Sequence, residues 1–252
     1  MRIYLIYGRI FMDKTGLAME AAQIFTEKDG VSAVTRTVGA VKITDVKIRE
    51  NAARDIGKSA GRYITLEGEP SDFGMTALLQ RALRQLVPER GRLFAAGLGN
   101  PDITPDSLGA LAVRGITKRK TRHFLLSAIE TDVAAKTGLD TAKLVRAAAR
   151  ELPADCVVVI DALSCGNPRY IGKTVQITDA GLIPGSGAGS RRDTISRKTL
   201  GIPVAAIGVP TVTALSSVTE NPADSGFLVT TADVDVLVKQ WAEVISGALE
   251  EL

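Results

Sequence analysis

Two aspartates stand where a strand gives way to something else. Asp106 lies in GLGNPDITPDSLGA (97–110), just past the apolar stretch Leu93-Phe94-Ala95-Ala96. Asp161 closes the run Val157-Val158-Val159-Ile160. A carboxylate at the mouth of an apolar strand is costly unless it is solvated, hydrogen-bonded or functional. If the two strands are neighbours, the carboxyls converge on one cleft and share a proton, because two close carboxylates do not both ionise easily. The ionised member then takes a proton from water, and the protonated member donates to a carbonyl oxygen or a leaving amine. Such a pair hydrolyses amides without metal, serine or cysteine. The plainer readings stay open: an aspartate in a first helical turn pairs with the helix dipole, and a strand-end aspartate caps a loop.

Other chemistries have less to work with. The single histidine, His123, sits between basic and apolar residues and reads as structural. It is the only partner that Ser164, Ser186 or Cys165 could use, so a serine or cysteine triad is disfavoured. Cys156 and Cys165 form neither a disulfide framework nor a metal-ligand spacing, and no metal or cofactor is expected. PGSGAGSRR (184–192) is neither a dinucleotide fingerprint nor a P-loop. Its backbone N–H groups could still bind a carbonyl oxygen or an anion, and a plain flexible loop explains it equally well.

The surrounding elements must bring the two aspartates together. Strands are expected near 3–7, 61–68, 92–98, 123–129, 156–163, 173–178 and 204–209, with an alternating extended region over 31–48 broken at Gly39. Helices are expected near 16–28, 70–86, 106–114 and 141–150, with a last one capped by Thr230 or Thr231. In this scheme Thr104 caps the third helix, Pro105 opens it, and Asp106 lies in its first turn. Alternating strands and helices predict a three-layer α/β/α fold around a largely parallel sheet. An N-terminal antiparallel β portion (31–68) reads as a flap or edge apart from that sheet. Ligands of such sheets collect outside the carboxyl ends of the strands.

The 252 residues are 45% hydrophobic and 23% charged, with a net charge of +3. They are read as a single domain able to bury a core. The charge is too small to argue for nucleic acid, and the run Lys118-Arg119-Lys120 with Arg122 reads as a solvated helix end. The start, MRIYLIYGRIFMDK, is a poor signal peptide and too short to span a membrane. A cytoplasmic protein without membrane contact is expected.

Several blocks taken together resemble the spore germination protease family. They are TGLAMEA (15–21), GKSAGRYITLEGE (57–69), GLGNPDITPDSLG (97–109), TRHF (121–124), TGLDTAKLV (137–145), VVVIDAL (157–163), VQITDAGLIPGSGAGSRR (175–192), TLGIPVAAIGVPTV (199–212) and LVTTADVD (228–235). They stand in family order and cover most of the chain. The resemblance implies a cytoplasmic endopeptidase, in the spore core of a sporulating host, that degrades small acid-soluble spore proteins during germination. It also implies a phosphorylase/hydrolase-like α/β fold shared with hydrogenase maturation proteases, a homo-oligomer (a tetramer), and synthesis as a zymogen. The family's two functional aspartates map onto Asp106 and Asp161. Asn100, Gly185, Gly187 and Gly189 are the accompanying candidates for substrate binding. Residues 1–14 read as a short pro-segment or extension, and Gly16 stands where the family usually has aspartate. Two alternatives remain: a maturation-type protease trimming a metalloenzyme precursor, with His123 its one histidine, and a non-catalytic relative that binds a peptide or anion.

Overall fold

The computed structural model describes residues 15–23, 25, 29–184 and 193–252. The strand expected at 3–7 lies outside them. Nine described strands build one sheet: β1 (Val31–Val38), β2 (Val41–Ile48), β3 (Gly61–Glu67), β4 (Gly91–Gly97), β5 (Phe124–Glu130), β6 (Cys156–Cys165), β7 (Thr174–Thr178), β8 (Val204–Ala214) and β9 (Leu228–Val229). The spatial order is β1-β2-β3-β7-β8-β6-β4-β5, with β9 paired to β8. The central strands β8, β6, β4 and β5 are parallel. The others pair antiparallel.

The N-terminal β portion is therefore continuous with the main sheet and not a separate flap. β7 makes the join, pairing antiparallel with β3 on one side and β8 on the other. Its sequence TVQIT alternates for that reason. Val175 and Ile177 enter the main apolar core, while period-two geometry turns Thr174, Gln176 and Thr178 to the opposite face.

Helices cover both faces, as the continuously apolar CVVVI of β6 requires. On one face lie the helices Met75–Leu83, Leu108–Gly115 and Val234–Glu250, packed on Leu93, Val158, Ile160 and Ile207. The last helix buries Val238, Trp241, Ile245 and Leu249, and the Trp241 indole N–H donates to the carbonyl oxygen of Gly172 at 2.7 Å. On the other face the helix Thr141–Glu151 packs Ala142, Val145 and Ala149 against Phe94, Val157, Val159 and Ala206. A second group on β1–β3 contains residues of the helices Ala18–Ala22 and Glu50–Ile56.

Some boundaries differ from expectation. The final helix starts at Val234 without a side-chain cap, because the Thr230 hydroxyl donates instead to the carbonyl oxygen of Thr211 at 2.6 Å. The helix expected from residue 70 starts at Met75, since the Asp72 carboxylate accepts from the Glu69 amide and closes a turn there. The helix Glu50–Ile56 has no counterpart among the expected elements.

Candidate active site

β6 lies between β4 and β8. The chain leaving β4 continues to β5 on one side, and the chain leaving β6 continues to β7 on the other. Such a divergence opens a crevice at the carboxyl ends of the strands. β4 ends at Gly97, whose register partner is Ile160. Asp161 is the next residue along β6, beyond the cover of β4. It stays in strand pairing with Gly208 of β8, is 7% exposed, and accepts from the Ala162 amide at 3.0 Å.

Asp106 arrives from the loop after β4. It is not in the first turn of an α-helix, as the sequence suggested, but ends a 3-10 turn, Thr104–Asp106, and the helix begins at Leu108. Tight packing sets this start. A Cβ placed on Gly97 would lie 2.1 Å from the carbonyl oxygen of Gly109, and one placed on Gly109 would lie 2.4 Å from the Leu98 amide. Strand end and helix start thus touch backbone to backbone. Gly99, at φ +96, meets the Asp106 carbonyl in the same way. The glycines of GLGN therefore serve close chain packing. The Asn100 amide donates to the Asp106 carboxylate at 2.7 Å, and the Asp106 amide donates to the Ile103 carbonyl oxygen at 2.8 Å.

Both aspartates line one cleft of about 660 Å³. The side-chain oxygen of Asn100 is engaged within its own loop, accepting from the Asp102 amide at 3.0 Å and from the Lys136 ammonium at 3.4 Å. Asn100 is not among the residues lining the cleft. Lys136 also pairs with Asp102 and Asp132, each at 2.7 Å. It thereby ties the Asp106 loop to the turn after β5, where Asp132 has φ 55. Gly185, Gly187 and Gly189 lie outside the described residues, as does Ser186. The segment carrying them is bracketed by Leu182 and Ile195, which exchange two backbone hydrogen bonds, and Leu182 and Ile183 line the cleft.

Ser164 and Thr230, named in the sequence for other roles, line the cleft too, and further polar groups there carry no sequence signal of their own or only a weak one. Lys58, Tyr63, Gln176 and Thr178 also line the cleft. The signal for Gln176 and Thr178 was present, since polar residues alternating with Val175 and Ile177 in a central strand mark a face that is not plain core. Burial first, and then the charge of Asp179, push the Tyr63 phenol well above its ordinary value, so it stays protonated and donates to the carbonyl oxygen of Ser59 at 2.7 Å.

Nucleophilic thiol chemistry has no footing here. Burial pushes the Cys165 thiol up to about 12, with the nearby charge of Glu20 adding to it. His123 immediately precedes β5, whose Phe124 is in register with Gly91 at the start of β4. That is the opposite end of the strands from the cleft, roughly 20 Å away at about 3.3 Å per residue. Among the described residues no group of three or more His, Cys, Asp or Glu could hold a metal ion, and no helix is long and apolar enough to cross a membrane.

Fold and cleft together define a three-layer α/β protein with two aspartates at the carboxyl end of its sheet. A model of the germination protease family matches residues 12–227, which include both. The chain is 33% identical over 248 residues to a germination protease of Geobacillus sp. (strain WCH70), covering 84% of this chain and 66% of the relative. It is 34% identical over 246 residues to that of Priestia megaterium (strain ATCC 12872 / QMB1551), with the same coverage. The chain belongs to the germination protease family and spans 66% of the length of these relatives. Among solved structures, the [NiFe] hydrogenase maturation protease HycI from Thermococcus kodakarensis KOD1 is similar at a TM-score of 0.41 and 18% identity, over 68% of this chain and 99% of that one.

Proposed function

We propose that this chain is an endopeptidase that hydrolyses small acid-soluble spore proteins during germination, using Asp106 and Asp161 to activate water. The observation that carries the reading is that both carboxylates line a single cleft at the carboxyl end of the parallel strands. One carboxyl holds the proton of the pair and the other is ionised. The ionised carboxylate takes a proton from a water molecule as its oxygen bonds to the peptide carbonyl carbon. The protonated carboxyl gives its proton to the peptide nitrogen, the C–N bond breaks, and an acid and an amine are released. A cleft of this size with an apolar rim (Ile103, Ile183, Leu228) accepts an extended segment of a protein substrate. Membership of the family supports the spore substrate, action in the cytoplasm or spore core, and assembly as a homo-oligomer.

The test is cleavage of a purified small acid-soluble spore protein followed by mass spectrometry. Asp106→Asn and Asp161→Asn are each expected to lower kcat by at least 10²-fold, the lower range of general acid–base contributions. Full cleavage by both variants refutes the aspartate pair. No cleavage by the parent protein refutes the spore substrate.

A further inference from the structure

Three described residues lining the cleft carry a formal charge: Asp106, Asp161 and Lys58. The rest of the described lining is neutral, so among the described residues the ammonium of Lys58 is the positive charge that shares the cleft with the two carboxylates. Its backbone is fixed. Lys58 follows the helix Glu50–Ile56, capped by Gly57 in the left-handed conformation, and the Lys58 amide donates back to the Ala53 carbonyl oxygen at 3.1 Å.

What the ammonium holds is informative. Lys58 donates from Nζ to the carbonyl oxygen of Thr15, and Thr15 and Gly16 themselves line the cleft. This stretch of chain is gripped through its backbone. The Gly16 amide donates to the Ser164 carbonyl oxygen at 2.6 Å. The Gln176 side chain donates to the Gly16 carbonyl oxygen at 3.1 Å and accepts from the Ala18 amide at 2.7 Å. The cleft thus holds a stretch of the chain's own backbone by main-chain hydrogen bonds, and Lys58 is the group that takes one of its carbonyl oxygens.

We propose that Lys58 is a third catalytic residue, whose ammonium binds the carbonyl oxygen of the peptide bond being cleaved. The assignment rests on the aspartate reading for the activation of water. As water adds, the carbonyl π electrons move onto that oxygen, and the Lys58 charge stabilises it. When the C–N bond breaks, the electrons return to the carbonyl. A cation aimed at the oxygen where charge develops acts on the transition state more than on the bound substrate.

The test measures kcat and KM separately for Lys58→Met and Lys58→Arg on a small acid-soluble spore protein, with circular dichroism confirming the fold. Lys58→Met is expected to lose about 10²–10³-fold in kcat, the scale of a lost oxyanion donor, with KM within twofold. Lys58→Arg keeps a cation and is expected to recover at least tenfold over Lys58→Met. If Lys58→Met does not fold, Lys58→Gln, which removes the charge but keeps a neutral donor, takes its place with an expected loss of at least tenfold in kcat. A kcat within threefold of the parent, a loss carried by KM alone, or no recovery with arginine overturns the assignment. Asp106→Asn and Asp161→Asn run alongside. If they abolish cleavage while Lys58→Met does not, only the Lys58 assignment fails. If they cleave normally while Lys58→Met loses kcat, only the aspartate reading fails. A parent protein that cleaves nothing overturns both.

Discussion

Gly97→Ala tests the link from backbone packing to chemistry. The added methyl carbon would sit 2.1 Å from the Gly109 carbonyl oxygen, 2.5 Å from its carbon and 2.9 Å from a Val113 methyl. A carbon–oxygen contact relaxes at about 3.3 Å, so the start of the helix Leu108–Gly115 must retreat by about 1.2 Å. Gly97 is in β4, anchored between β5 and β6, so the strand has little room to yield. Overpacking of this kind costs about 1–3 kcal/mol, which for a chain of this length lowers Tm by roughly 2–12 °C. Asp106 precedes the displaced helix by two residues and moves with it. A misplacement near 1 Å can cost about 10²-fold in rate, so kcat is expected to fall by that order while the protein stays folded. Calorimetry and steady-state cleavage of a small acid-soluble spore protein provide the readouts. A variant with unchanged Tm and kcat within twofold of the parent would refute the claim that Gly97–Gly109 packing sets the position of Asp106.

Gln176→Leu removes both side-chain hydrogen bonds to the Thr15–Ala18 stretch, leaving backbone groups without those partners at a cost of about 1–3 kcal/mol; limited proteolysis before residue 20 should accelerate, and an unchanged digestion rate would count against this anchor. Lys136→Met unties the Asp106 loop from Asp132 and Asp102; because these groups are solvent-exposed and screened by salt, Tm should barely move while kcat drops several-fold, and 0.5 M salt (a Debye length of roughly 4 Å) should bring the parent toward the variant. Equal salt responses in the two proteins would sink that prediction. Burial, aided by Asp155 and Glu20 respectively, pushes the Cys156 and Cys165 thiols up to about 12, so both remain protonated in the folded protein below that pH. Iodoacetamide at pH 8 should label neither until denaturant is added, and the stability these neutral thiols contribute is fully present below the ordinary thiol range and is lost as pH rises from that range through about 12. Rapid labelling of the native protein would contradict the burial.

Much of the fold was legible because its causes are local. The run Cys156–Ile160 reads as a doubly covered strand from composition alone, and the stripe Val234, Leu237, Val238, Trp241, Ile245, Leu249 reads as one face of a helix from spacing alone, although Val234 and Leu237 are only partly buried. Strand partners leave no such mark, because the backbone hydrogen bonds that choose them are the same for every residue type. The joining of β1–β3 to the parallel strands through β7 is therefore not legible in the sequence, although the polar alternation of Thr174, Gln176 and Thr178 marks β7 as something other than an ordinary central strand. The start of the helix after Asp106 departs from its local signals for a related reason. Thr104-Pro105 is good local helix chemistry, but backbone contact between Gly97 and Gly109 decides where the helix can begin.

The sequence by itself determined the residue types available for chemistry: two aspartates at strand ends, one histidine, and two cysteines with no ligand spacing. It also set the alternation of elements that makes a layered α/β fold. Only the tertiary structure decided which of those groups share a space. Asp161 emerges beyond the end of β4, the Asp106 loop is set beside the strand end by glycine packing and lines the same cleft, and Lys58 enters from the turn after the helix Glu50–Ile56. A cleft is defined by strand order and layer packing, and these depend on contacts between residues far apart in the chain. The chemistry could be proposed from composition, but its geometry required the fold.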